Sequence, residues 1–199
     1  MRKYIVLALL ICLMLVVSGC AGVKRVEVEE VIDLSGRWND TDSRLVSEEM
    51  IRDALNRPWL ERFKIAHGGK PPVVIVGTVE NRSHEHINVQ TFVKDLERAL
   101  INSGEVEFVA SRGEREEVRE ERRDQAIHAA EETAKPMGEE IGADYMLKGS
   151  INSIMDKISG KAVIFYQVNL ELIDLKTNKK VWIGEKKIKK YVKRRRLGF

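Results

Sequence analysis

The spacing of apolar and polar residues along this chain follows two periods, and the switch between them marks its elements. From Val46 to Leu55 the apolar residues Val46, Met50, Ile51, Ala54 and Leu55 fall on one half of a helical wheel. Glu48, Glu49, Arg52 and Asp53 take the other half, which predicts an amphipathic helix. Residues 36–43 (GRWNDTDS) carry turn and cap chemistry, with Asp42 or Ser43 suited to cap that helix and Pro58-Trp59 to stop it. Residues 73–79 (VVIVGTV) are apolar on both faces, the pattern of a central strand covered by helices on both sides. Asn88 caps a second helix with Val89, Phe92, Val93, Leu96, Ala99 and Leu100 in one stripe, ended by Ser103-Gly104. Val106 to Val109 is a short strand. Glu114 to Asp124 is almost entirely charged and reads as a solvated helix with i,i+3 pairs such as Glu116–Arg119 and Glu120–Arg123. Pro136 opens a further short helix, or marks a kink, before Gly142. From Tyr145 the period becomes two. A strand to Ile158 turns at Ser159-Gly160. The next puts Ala162, Ile164, Tyr166, Val168, Leu170 and Leu172 on one face and Gln167, Asn169 and Glu171 on a wet one. After Thr177-Asn178 the last strand runs from Val181 to about Tyr191. The order α-β-α-β-α-α-β-β-β predicts an α/β (α+β) single domain, a mixed β-sheet flanked by helices.

The first 20 residues change the picture by setting the compartment. Met1-Arg2-Lys3 precede an apolar run of 13 residues, Ile5 to Val17, and then Ser18-Gly19-Cys20. The run is shorter than the ~20 residues of a spanning helix, and the parts are those of a secretory signal peptide. Val17-Ser18-Gly19-Cys20 resembles the bacterial lipobox. That resemblance implies cleavage before Cys20, acylation of its sulfur and new amine, and a membrane attachment made by lipid. Ala21 stands where an aspartate would signal inner-membrane retention, so the expected location is the outer membrane, facing the periplasm. The expected organisation is a signal peptide over 1–19, a lipidated cysteine and short tether over 20–35, a globular domain over 36–192 and a basic tail over 193–199. Residues 21–35 are a tether or an edge strand; extended, they reach at most about 50 Å. Loss of Arg2 and Lys3 lowers the formal charge from +3 to +1, so the mature chain is nearly neutral and gives no reason to expect a nucleic-acid partner. Cys12 leaves with the signal and Cys20 is lipidated, so the domain keeps no thiol for a disulfide, a metal or nucleophilic catalysis.

No phosphate-cradling glycine loop, zinc motif or nucleophile-elbow serine is present, and no catalytic residues, metal site or cofactor is expected. His84 and His86 can share one face of a strand but have no third ligand nearby. His67 and His128 stand alone. Asp40, Asp42 and Asp53 lie close in sequence, but capping accounts for their position at a helix start better than acid–base chemistry does. The remaining conspicuous feature is basic: Lys186, Lys187, Lys189, Lys190, Lys193, Arg194, Arg195 and Arg196, interleaved with Ile188, Tyr191 and Val192. Such a strip protects an edge strand from aggregation or attracts an acidic surface. Lys186, Lys187, Lys189, Lys190, Arg194 and Arg195 are the candidate partner-binding residues.

Residues 36–43 (GRWNDTDS), 79–83 (VENRS), the helix from Phe92 to Gly104 with Arg98-Ala99-Leu100, 141–145 (IGADY) and 174–182 (DLKTNKKVW), in that order behind a lipobox, resemble the LpoB family of outer-membrane lipoprotein activators. The resemblance covers roughly Gly36 to Lys190. It implies a fold like the N-terminal domain of TolB and no enzymatic activity. It further implies docking on a bifunctional (class A) penicillin-binding protein, whose peptidoglycan synthesis would be favoured because the activator binds the active conformation more tightly. The tether is shorter than in the best-known relatives, and tether plus domain reach on the order of 90 Å. Two alternatives are an envelope-assembly lipoprotein similar to CsgG and a peptidoglycan-binding module using the basic strip.

Overall fold

A computed structural model describes residues 22–130, 132–133 and 140–193. The signal peptide, Cys20, the Pro136 helix, Arg194 and Arg195 lie outside the described residues. Two compact units divide at Val31/Ile32. In the first, residues 22–31 form no helix or strand, only a turn in which the Glu30 N–H donates to the Glu27 carbonyl at 3.1 Å.

The second unit holds every described helix and strand. In chain order they are α1 (Asp40–Leu55), α2 (Pro58–Ala66), β1 (Val73–Arg82), α3 (Val89–Asn102), β2 (Glu107–Phe108), α4 (Arg112–His128), β3 (Tyr145–Ile158), β4 (Lys161–Asp174) and β5 (Lys180–Lys193). The sheet order is β2-β1-β3-β4-β5, with β1 parallel to β2 and β3 and the last three strands an antiparallel meander. The fold is α+β on a mixed sheet, as the pattern implied.

One face of the sheet carries the core. Val74, Tyr145, Leu147, Ile151, Tyr166, Val168, Leu170, Leu172 and Trp182 meet Val46 and Met50 of α1, Trp59 and Phe63 of α2, and Phe92 and Leu96 of α3. The stripe on α3 is the clearest case of pattern becoming burial: Phe92, Val93, Leu96 and Leu100 are all buried. Each such side chain contributes about 1.5–3 kcal/mol when removed from water.

One expectation needs correction. Pro58 does end α1, but it also starts α2 from the first helical turn, where a missing N–H costs nothing. Trp59 and Phe63 of that helix pack edge-on against Tyr145, with centroids 5.6 Å apart in both pairs. The side of β4 expected to be wet is open in the structure. The helix-bearing face is covered, but Ile154, Ile183 and Tyr191 on the opposite face are 67%, 58% and 63% exposed. Polar Gln167, Asn169 and Glu171 make that face compatible with water, and it stays open.

Candidate functional site: the open face of the sheet

The register assigns each residue of β3, β4 and β5 to a face. The cross-strand rows of the open face are Lys148–Glu171–Ile183, Ser150–Asn169–Glu185, Asn152–Gln167–Lys187, Ile154–Phe165–Lys189, Asp156–Val163–Tyr191 and Ile158–Lys161–Lys193. The rows nearest the β4–β5 turn are mainly polar. Those nearest the β3–β4 turn place Ile154, Val163, Phe165 and Tyr191 together, with Lys161, Lys187, Lys189 and Lys193 and the single carboxylate of Asp156 around them. An apolar centre with a cationic rim suits a protein surface that is apolar in the middle and acidic at its edge.

The basic strip of β5 therefore divides by parity. Lys187 and Lys189 stand on the open face, Lys187 paired with Glu185 at 2.6 Å and Lys189 without an ion-pair partner among the described residues. Lys186 and Lys190 point to the other face. Lys186 reaches Glu49 of α1 at 3.4 Å. Lys190 is bound more deeply: its Nζ lies 2.6 Å from Asp42 Oδ2 and 2.8 Å from Asp33 Oδ1, and donates to the Arg37 carbonyl at 3.1 Å. Its side chain is 12% exposed, and that of Asp42 4%. Burial works to lower the Lys190 pKa, but the hydrogen bonds to Asp33 and Asp42 outweigh it and the net shift is upward. Lys186 and Lys190 are thus engaged within the domain, while Lys187 and Lys189 face outward. Sequence alone does not set this division, because it depends on which way β5 is pleated onto β4.

The same ionic cluster closes the helix start. Asn39 is the N-cap of α1. Asn39 Oδ1 accepts from the Asp42 N–H and Asp42 Oδ2 accepts from the Asn39 N–H, both at 3.0 Å. Asp42 is therefore a reciprocal partner in the cap, not the cap itself. Beside it Trp38 lies edge-on to Tyr166 at 5.4 Å. Glu85 accepts from the Tyr166 hydroxyl at 2.7 Å and from the Trp38 N–H at 2.9 Å. Burial and the Glu85 carboxylate push the Tyr166 pKa upward, so the phenol stays protonated as a donor. Gly36 has φ of 73°, and a Cβ there would lie 2.2 Å from Val192 Cγ2, so only glycine lets residues 36–39 seat over β5.

His84, His67, His128 and Asp53 have structural partners. His84 Nδ1 sits 3.1 Å from Ser153 Oγ, His67 stacks on Phe63 at 3.9 Å, and His128 lies 3.0 Å from Asp124. Asp53 accepts from Trp182 Nε1 at 2.8 Å and pairs with Arg57. No cluster of three or more His, Cys, Asp or Glu able to hold a metal occurs among the described residues, and no described helix is long and apolar enough to cross a membrane.

The segments that carry the family resemblance serve as fastenings for this architecture. Asn81 Oδ1 accepts from the Ser83 N–H at 3.0 Å and its amide donates to the Glu85 carbonyl at 2.7 Å. Asp144 accepts from the Val73 N–H at 2.8 Å, tying β3 to β1. Asp174 accepts from the N–H groups of Lys176 and Thr177 at 2.9 and 2.7 Å, shaping the turn in which Asn178 takes φ of 60°. The profile of the peptidoglycan-synthase activator LpoB matches residues 42–188. The chain belongs to the LpoB family. Among solved structures it is similar to the LpoB C-terminal domain from Salmonella enterica, at 18% identity over 71% of this chain and 96% of that one, with a TM-score of 0.38. The LpoB C-terminal domain from Escherichia coli gives 15% identity over 66% and 98%, with a TM-score of 0.38. Lipoprotein GNA1162 from Neisseria meningitidis gives 17% over 61% and 84%, also at 0.38. No curated protein sequence matches.

Proposed function

We propose that this LpoB-family chain is an outer-membrane lipoprotein, anchored through Cys20 and facing the periplasm. In this reading it binds a bifunctional class A penicillin-binding protein and activates its peptidoglycan synthesis without catalysing a reaction itself. The observation that carries the docking part is the open sheet face, where exposed Ile154 and Tyr191 flank half-buried Phe165 inside a rim of Lys187, Lys189 and Lys193. Activation by binding needs only that this face fit the active synthase conformation better than the inactive one; a tenfold preference corresponds to about 1.4 kcal/mol. The short tether is compatible with a synthase whose docking domain projects outward from the inner membrane.

The test is lipid II polymerisation by the synthase of the same cell, with and without the full chain in detergent. Stimulation by the parent chain, lost in Phe165→Ala and Lys189→Glu with unchanged folding, is the expected result. An active synthase that ignores a folded chain would overturn the reading. For the anchor, Cys20→Ser should leave the chain unacylated, read by labelling with a radioactive fatty acid.

A further inference from the structure

On the far side of the sheet order from β5, α4 and the residues before β3 enclose a second surface feature. Arg115, Arg119 and Arg122 recur at i, i+4 and i+7 and share one face of α4. Arg119 takes Glu140 in a two-point grip, Nε to Oε1 and Nη2 to Oε2, both 2.8 Å. That grip uses both oxygens of Glu140, the one carboxylate among the described residues lining an open cleft of about 320 Å3. The other described lining residues are Val109, Ala110, Val118 and Ile141 with Arg115 and Arg122.

The two flanking arginines are left short of acceptors. Arg115 Nη1 donates to the Ala110 carbonyl at 3.3 Å, but its Nε is buried without a hydrogen-bond partner, 3.9 Å from Glu140 Oε2. Arg122 makes no hydrogen bond among the described residues. A buried guanidinium nitrogen without an acceptor is uncommon, because the lost hydration is not returned. Val118 and Ile141, 45% and 68% exposed, leave apolar wall uncovered at the same place. Unfilled donors, excess positive charge and small apolar walls thus converge on one cleft.

We propose that this cleft binds a free peptide carboxylate carried on small apolar residues, the carboxylate between Arg115 and Arg122 and the methyl groups against Val109, Ala110, Val118 and Ile141. Guanidinium and carboxylate match in a planar, charge-assisted geometry, and an amide or ester end offers no such charge. Two sources share this chemistry: the C-terminus of a protein ending in small residues, and a cell-wall stem peptide ending in D-alanine. The site lies apart from the open face of β3–β5 and does not depend on synthase activation.

Isothermal titration of the full chain in detergent with N-acetyl-D-alanyl-D-alanine, N-acetyl-L-alanyl-L-alanine and the C-terminal amide of each tests it. The acids should bind with Kd on the order of 1 mM, and each amide at least about tenfold more weakly. Added salt should weaken the acids only. Arg122→Met, at a residue that holds no described hydrogen bond, should reduce acid binding about tenfold. Val118→Asp, which puts a carboxylate into the cleft, should abolish it. Preference for the D-dipeptide assigns the cell wall, preference for the L-dipeptide assigns a protein terminus, and equal binding supports the shared carboxylate alone. Equal heats for acid and amide, no heat for any dipeptide, or acid binding unchanged in both variants would overturn the proposal. Synthase stimulation, measured on the same Arg122→Met chain, should remain at the parent level, so failure of one reading is separable from failure of the other.

Discussion

Lys190 shows how one side chain can hold a local start and a distant strand together. It neutralises Asp42, which is itself reciprocally bonded in the α1 cap, and it fixes Asp33 and the Arg37 carbonyl. Lys190→Met leaves a nearly fully buried carboxylate without its cation. Breaking a buried pair from one side costs about 3–5 kcal/mol, and the urea midpoint should fall accordingly. The neighbouring Lys189→Met, on the outer face of the same strand, should stay within about 0.5 kcal/mol of the parent. Gly149 sets a steric limit of another kind. A Cβ there would stand 2.4 Å from the Asn169 carbonyl oxygen, an atom of the adjoining strand backbone that cannot turn aside. Gly149→Ala should therefore cost about 1–3 kcal/mol in the same measurement.

At the scale of elements, α4 differs from α1 and α3 in having no buried residue. Its stability rests on its cap and on ion pairs, and its amides should exchange with solvent faster than those of α3. The cap also makes it acid-sensitive. Hydrogen bonds from the Ser111 side chain and backbone, then from Lys94, hold Glu114 at about 2, below its ordinary value of 4.5. A depressed carboxylate pKa contributes stability that is fully present above the unfolded value and is lost as pH falls toward the folded one. The N-terminal turn of α4 should thus loosen between about pH 4.5 and 2, read from the amide shifts of residues 112–116, and Glu114→Gln should remove that dependence.

For the whole molecule, the two faces of the sheet predict two classes of variant. Phe92→Ala opens a cavity in the covered face and should cost about 3–5 kcal/mol, lowering stimulation only through loss of folded chain. Phe165→Ala and Tyr191→Ala on the open face should leave the melting temperature within a few degrees of the parent, and a combined variant should abolish stimulation of the synthase. A chain that loses stimulation only in step with its stability would place docking elsewhere than on the open face.

The hydrophobic pattern alone determined the helical stripe of α3, the alternation of β4 and the two hairpin turns, because those signals are local: period, cap and turn residue lie within a few positions of each other. The family motifs were legible for a related reason. Asn81 and Asp174 bond backbone groups that their own loops bring near, while Asp144 bonds the distant Val73 N–H at the start of β1; such roles demand particular residue types. The pattern misread α2, since Pro58 carries both a stop for one helix and a start for the next, and only the burial of Trp59 and Phe63 against Tyr145 decides between them. The basic strip was visible as composition but not as a site. Pleating of β5 onto β4 sent Lys186 and Lys190 to acidic partners from α1 and its approach, and left Lys187 and Lys189 outside. The cleft under α4 had no signature at all, since a run of mixed charge reads as solvated until Glu140, far along the chain, satisfies Arg119 and leaves Arg115 Nε without an acceptor.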